Sequence, residues 1–276
     1  MKWSIKKISD EAYFAHGNIF DGFEHASDRH IEWVISNSTL KKVRDTTLHH
    51  LITVGDTEVD DKLQGIFDTG SAFHCYVLEH DEFTQRYHVA DIKDATKNTV
   101  RIGINDFKFI ENSYASIKEK YPQALDGQNV ELAIFGEIDG VKVKCKIDKL
   151  NITKVGNRYT HVDIMDLKGV YFDPYKLKKT PNGDRWELRK MLSNNSYDLQ
   201  AYFYTMLVEN WLESINQHCE VSFSLLVASK DTYQCQKFRI GSEMMETGKM
   251  KFDSVWKDVR DFVLFGKDRL IDEEVL

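Results

Sequence analysis

Residues 141–149 read Val141-Lys142-Val143-Lys144-Cys145-Lys146-Ile147-Asp148-Lys149, and residues 161–168 read His161-Val162-Asp163-Ile164-Met165-Asp166-Leu167-Lys168. Both stretches predict β-strands, because apolar and polar residues alternate with period two and successive side chains of a strand point to opposite faces. In the first, Val141, Val143, Cys145 and Ile147 share one face, and Lys142, Lys144, Lys146 and Asp148 the other. In the second, Val162, Ile164, Asp166 and Lys168 share a face whose first half is apolar and whose second half is ionic. Each pattern alone has a bland reading: a solvated strand face, or a surface ion pair worth about 0–1 kcal/mol. On adjacent strands they say more, since Asp148, Asp166 and Lys168 then gather two carboxylates and an ammonium. Close carboxylates repel unless a cation or a proton neutralises them. Hard oxygen donors suit Mg²⁺ or Mn²⁺, and a neighbouring lysine stabilises developing charge, so the set suits phosphodiester hydrolysis.

Working outward, residues 130–138 also alternate, and Asp139-Gly140 joins them to 141–149 as a hairpin. Residues 219–229 and 232–240 predict a second hairpin. Helices are expected at 38–53, 60–78, 113–121, 197–214 and from Ser242 towards 265. In 60–78 the stripe is Leu63, Ile66, Phe67, Phe73 and Val77. This predicts a mixed α/β fold, a central sheet flanked by helices. No linker, repeat or low-complexity segment divides the chain. One domain over 1–276 is expected, mainly helical in 1–125, with the sheet core and C-terminal helices in 126–276. Two of the three prolines, Pro174 and Pro181, fall in 170–185, which reads as a loop.

Composition narrows the class. With 42% hydrophobic residues the 276-residue chain fills a core, which excludes disorder. No apolar run reaches the length of a membrane span, and the basic N-terminus has no apolar segment after it, so neither a membrane nor a secretory signal is expected. Cys75, Cys145, Cys219 and Cys235 form no C-x-x-C pair, which fits a reduced cytoplasm and argues against a zinc ribbon or an iron–sulfur cluster. A net charge of −7 excludes a chain that coats DNA over its whole surface, though not one with a local basic groove.

Two more segments are candidates. Gly70 to Glu79 holds His74 in an apolar helical run; a core histidine is the commoner reading and a nitrogen ligand the functional one. Gln200 and Tyr204 are four apart and share a helical face, either a rim of a core helix or groups that reach a phosphate or base.

Read in order, these segments resemble the RecB-like branch of PD-(D/E)XK nucleases, and within it the RecE, or exonuclease VIII, type of phages and prophages. Ser36-Asn37-Ser38-Thr39-Leu40 is similar to its S-x-S-x-L, Gly70 to Glu79 to G-x-x-x-H-x-x-x-L-E, Glu131 with Lys146-Ile147-Asp148 to E…K-x-D, Asp166-Leu167-Lys168 to D-x-K, and Gln200 to Tyr204 to Q-x-x-x-Y. The resemblance spans residues 33–265 and implies a restriction-endonuclease-like fold. It implies that Asp148 bridges two Mg²⁺ or Mn²⁺ ions, that Asp166 and the Leu167 carbonyl ligate one, and that His74 completes the shell. Lys168 is implied to hold the attacking water, Glu131 to position a metal-bound water, with a plain edge-strand charge as its bland alternative, and Gln200, Tyr204 and Lys146 to contact substrate. The implied activity is digestion of linear double-stranded DNA ends from 5′ to 3′, in the cytoplasm of a bacterial or phage-infected cell. A ring-shaped homo-oligomer and a single-strand-annealing partner are implied with it. Lys142, Lys144 and Lys146 are expected to line the channel of that ring.

There are departures. Gly169 stands where the family often has Thr, and the cysteines of the cluster-bearing relatives are missing. The stretch Val170 to Asn195, with Lys176, Lys178, Lys179, Arg185, Arg189 and Lys190, is either a DNA-contacting loop or a solvated insertion. A catalytically silent DNA-binding module of the same fold, and an endonuclease, are the competing readings.

Overall fold

The computed structural model describes residues 3–14, 34–46, 61–89, 99–174, 176–178 and 185–266. One long strand organises it. β6 (Val141–Val155) pairs antiparallel with β5 (Val130–Ile138) through its first half and with β7 (Arg158–Val170) through its second. The β5–β6 turn is the expected hairpin, with Asp139 and Gly140 both at positive φ (50° and 81°), as a two-residue turn that matches strand twist requires. β10 (Glu220–Ser229) runs parallel to β7, and β11 (Cys235–Arg239) closes the second hairpin.

Beside a small parallel pair, β3 (Tyr87–Val89) with β4 (Val100–Ile102), two strands of the main sheet were not legible in the sequence. β1 (Ser4–Lys7) pairs with β5, and β2 (Val34–Ile35) runs parallel to β6 at Lys142 and Val143. The first is short and charged and the second has two residues, so neither shows a period. The order is β1-β5-β6-β7-β10-β11, with β2 beside β6.

The sheet is covered on both faces. On one lie α2 (Asn37–Thr46), α7 (Tyr197–Ser214) and α8 (Ser242–Phe265), whose Leu40, Phe203, Leu207, Val255 and Val259 pack on Val143, Ile147 and Ile164. Burying each such side chain contributes roughly 1.5–3 kcal/mol. α7 and α8 touch closely, since a β-carbon on Gly248 would meet the Asp198 carbonyl oxygen at 2.1 Å. On the other face, Phe73, Val77, Phe109, Ile110 and Ile117 of α3 (Asp61–Leu78) and α5 (Ile104–Lys120) pack on Met165, Leu167 and Leu226.

Two expectations change and part of a third lies outside the described residues. The helix expected at 113–121 begins at Ile104, after an extended Gly103, and its buried stripe runs through Phe109, Ile110, Ser113, Ser116 and Ile117. Residues 47–53 of the helix expected at 38–53 lie outside the described residues. The connection after β7 is not all loop: β8 (Leu177–Lys178) pairs β9 (Arg185–Trp186), and α6 (Glu187–Asn194) buries Leu188 and Leu192.

Candidate metal centre

The candidate residues meet where β6 leaves β5 and joins β7. The β6–β7 ladder starts at Lys149↔Met165, and the β5–β6 ladder passes from Val130↔Lys149 to Leu132↔Ile147 without pairing Glu131 to Asp148. Glu131 has φ 53°, a left-handed conformation inside a strand that costs a non-glycine residue on the order of 1 kcal/mol or more. That irregularity turns both carboxylates out of the ladder. Asp148 Oδ2 instead accepts the Leu167 N–H at 2.7 Å, which fixes it against β7.

Across from it, α3 carries His74. Its neighbours Phe73 and Cys75 are buried, but the imidazole opens to a cleft and its Nδ1 lies 3.3 Å from Asp148 Oδ2. His74, Glu131 and Asp148 each offer a ligand atom within 4.8 Å of the others. Behind them, Asp166 Oδ1 accepts from Gln200 Nε2 at 2.6 Å, and Asp166 Oδ2 pairs with Lys168 Nζ at 2.5 Å. That ammonium also lies 5.0 Å from the centroid of the Tyr197 ring. The cleft has a volume of about 580 Å³ and is lined by His74, Glu131, Asp148, Leu167, Lys168 and Tyr197, among others.

A family model described as "PDDEXK-like domain of unknown function (DUF3799)" matches residues 36–263. The chain belongs to this family. A solved structure described as a "Putative exonuclease" from Eubacterium rectale has the same fold, with a TM-score of 0.59 at 15% sequence identity over 95% of this chain and 89% of that one. No curated protein matches the sequence. The restriction-endonuclease-like α/β architecture implied by the ordered motifs is therefore the architecture of the chain.

Charge in this PDDEXK-like domain is crowded. Burial acts against the His74 cation, but the charge and hydrogen bond of Asp148 outweigh it and raise its pKa to about 9. Burial also opposes the Asp148 anion, yet His74, Lys168 and the Leu167 N–H hold its pKa below the usual value. Glu131 is pushed up by burial and by the charge of Asp148. Asp166 is pushed up by burial, with Lys168 opposing and Asp148 adding. Lys168 loses from burial and gains more from Asp166 and Asp148, so it stays an ammonium.

These donors fit a divalent cation. Two carboxylates and an imidazole converge, one carboxylate is costly to ionise without a further positive charge, and oxygen with some nitrogen suits Mg²⁺ or Mn²⁺. The converging set is His74, Glu131 and Asp148, whereas the resemblance implied His74, Asp148, Asp166 and Leu167. Asp166 stands one layer back, tied to Gln200 and Lys168.

The other candidates lie elsewhere. Lys146 Nζ sits between Glu131 Oε2, at 2.5 Å, and Asp10. Tyr204 does not line the cleft; its ring meets Phe223 edge-on at 6.3 Å, and burial raises its pKa well above the usual value. Lys144 is no channel lysine. It is buried, donates to the Tyr13 carbonyl at 2.7 Å and lies over the Tyr13 ring, because α1 (Asp10–Phe14) packs against it.

Gly169 has a packing reason. A β-carbon there would come 3.2 Å from Phe109 Cζ and 3.8 Å from Phe73 Cδ1, so the ring of Phe109 takes the space a threonine needs. Tyr197 was missed, although it lies three residues before Gln200 on the same helical face. Lys230, also in the cleft, carries no motif.

Proposed function

We propose that this chain is a divalent-metal-dependent nuclease that hydrolyses phosphodiester bonds at the ends of linear double-stranded DNA. The observation that carries the reading is the convergence of His74, Glu131 and Asp148 with Lys168 in one cleft, Asp166 pairing with Lys168 from behind. His74, Glu131 and Asp148 would hold the cation, with Asp166 behind them as the partner of Lys168. A bound Mg²⁺ or Mn²⁺ supplies Lewis-acid polarisation of the phosphoryl group and a more acidic attacking water. The charges of Asp166 and Asp148 hold Lys168 as an ammonium against its burial, a positive charge placed for the phosphate as negative charge develops. Gln200 holds Asp166, and the Leu167 N–H holds Asp148, so neither carboxylate reorganises on binding.

The exonuclease reading, with 5′ to 3′ polarity, a ring-shaped oligomer and a single-strand-annealing partner, rests on the ordered motifs. The Eubacterium rectale structure, described as an exonuclease, supports the exonuclease part of that reading alone. The test is digestion of linear duplex DNA beside covalently closed circles, in Mg²⁺ and in EDTA, by wild type and Lys168→Ala. The expected result is Mg²⁺-dependent loss of linear DNA alone, absent in the variant. Cutting of both substrates makes the chain an endonuclease. Cutting of neither, with DNA retained, makes it a silent binding module.

A further inference from the structure

The apolar stripe of α3 divides. Phe73 and Val77 enter the core, but Ile66 and Phe67, up to two turns earlier, are 43% and 51% exposed. Both line the cleft that holds His74. Tyr171, just beyond β7 and three residues after Lys168, is 62% exposed and lines the same cleft. Single exposed hydrophobics need no explanation, but three large ones along a cleft of charged groups mark a surface built to be covered.

Tyr171 is also held in place. Lys230 follows the last residue of β10, and its N–H donates to the Val170 carbonyl at 2.7 Å. Its ammonium lies 4.4 Å from the Tyr171 ring centroid, donates to Tyr171 Oη at 3.2 Å and pairs with Asp106 Oδ1 at 2.8 Å. A cation on one ring face leaves the other for a ligand and puts positive charge beside it. Flat apolar rings next to ammonium groups match a nucleotide strand, whose bases offer π-faces and whose phosphates carry negative charge.

We infer that Phe67 and Tyr171 form a stacking rim that grips unpaired nucleobases next to the phosphate held at Lys168. The inference deepens the nuclease reading and rests on it. It names the substrate form the cleft takes: a single strand or a frayed end, because in an intact duplex the faces of the bases are already stacked on each other.

The experiment compares binding of an oligothymidylate and of an abasic oligomer of the same length, by fluorescence anisotropy in EDTA. Wild type, Phe67→Ala, Tyr171→Ala, the double variant and the conservative Phe67→Trp and Tyr171→Phe variants run in parallel. Wild type should bind the oligothymidylate roughly tenfold more tightly, from a stacking contribution of about 1–3 kcal/mol per base. The double variant should lose that preference and keep its affinity for the abasic oligomer, which also certifies its fold, while the conservative variants retain the preference. Equal wild-type affinity for the two oligomers, or an unchanged preference in the double variant, overturns the rim. Mg²⁺-dependent loss of linear DNA, measured on the same wild-type protein, separates the two failures: cleavage without base preference sinks the rim alone, and absence of cleavage sinks the nuclease reading.

Discussion

Asp163 and Asp166 stand three residues apart on β7, and the fold treats them in opposite ways. Asp163 accepts hydrogen bonds from Ser222 Oγ at 2.9 Å and Ser224 Oγ at 2.7 Å and pairs with Lys237 Nζ at 2.7 Å. It belongs to a second polar cleft, of about 680 Å³, where Lys149 is also buried and donates to the Gln128 carbonyl at 2.6 Å. That carboxylate is provided with donors by its own neighbours. Asp166 shares its surroundings with Asp148, and its Oδ2 is buried with the Lys168 ion pair and no directed hydrogen bond. Two clefts of similar polarity thus differ in balance. In one the charges are satisfied from within, and in the other anions are crowded until a cation from outside becomes favourable. Crowding, more than polarity, marks the candidate cleft.

The largest expected effect separates the two aspartates by activity. Asp166→Asn and Lys168→Ala should each lower Mg²⁺-dependent loss of linear DNA by on the order of 100-fold or more, the scale seen when a charge-stabilising group is removed. Asp163→Asn should leave cleavage within about twofold yet lower stability to urea by about 2 kcal/mol, since it weakens a buried charged network. Loss of activity in Asp163→Asn at full stability would erase the contrast.

Metal binding gives a second separation. Saturating Mn²⁺ should raise the melting temperature of wild type and of Asp163→Asn, through a stabilisation of about 2.7 kcal/mol at a hundred times the Kd. Glu131→Gln and Asp148→Asn should show little of that rise. A full shift in Asp148→Asn would move the ion out of the His74–Glu131–Asp148 set.

The same site sets a pH dependence. In the metal-free protein the His74 pKa is raised from 6.5 to about 9, so the His74–Asp148 pair contributes its full stability below about pH 6.5 and loses it as pH rises towards 9. Because Nδ1 must shed a proton to ligate, Mn²⁺ affinity should rise about tenfold per pH unit over that window. Calorimetric titration of wild type and His74→Gln checks this, with the slope expected only in wild type. The smallest effect concerns Gly169: Gly169→Ala should cost about 1 kcal/mol through pressure on Phe109, and Phe109→Leu should relieve it.

Much of this molecule can be read without coordinates. The alternation in 130–168, the Asp139-Gly140 turn and the Asp-x-Lys at the end of β7 are local patterns, and local sterics carry them into structure. Periodicity also gave wrong weight in places. It assigned Ile66 and Phe67 to a core stripe and Lys144 to a solvated face, because a period states which residues share a face and not what covers that face.

By itself the sequence determined the α/β class and the ordered set of His74, Glu131, Asp148, Asp166 and Lys168 as candidates. Only the tertiary structure decided that His74, Glu131 and Asp148 converge while Asp166 turns to Gln200, thirty-four residues away. It also brought Tyr171 and Lys230 together at the mouth of the cleft. The reason is physical. Strand and helix periods are written residue by residue, whereas the hand-over of β6 from β5 to β7, the twist at Glu131 and the parallel return of β10 depend on contacts between segments far apart in the chain.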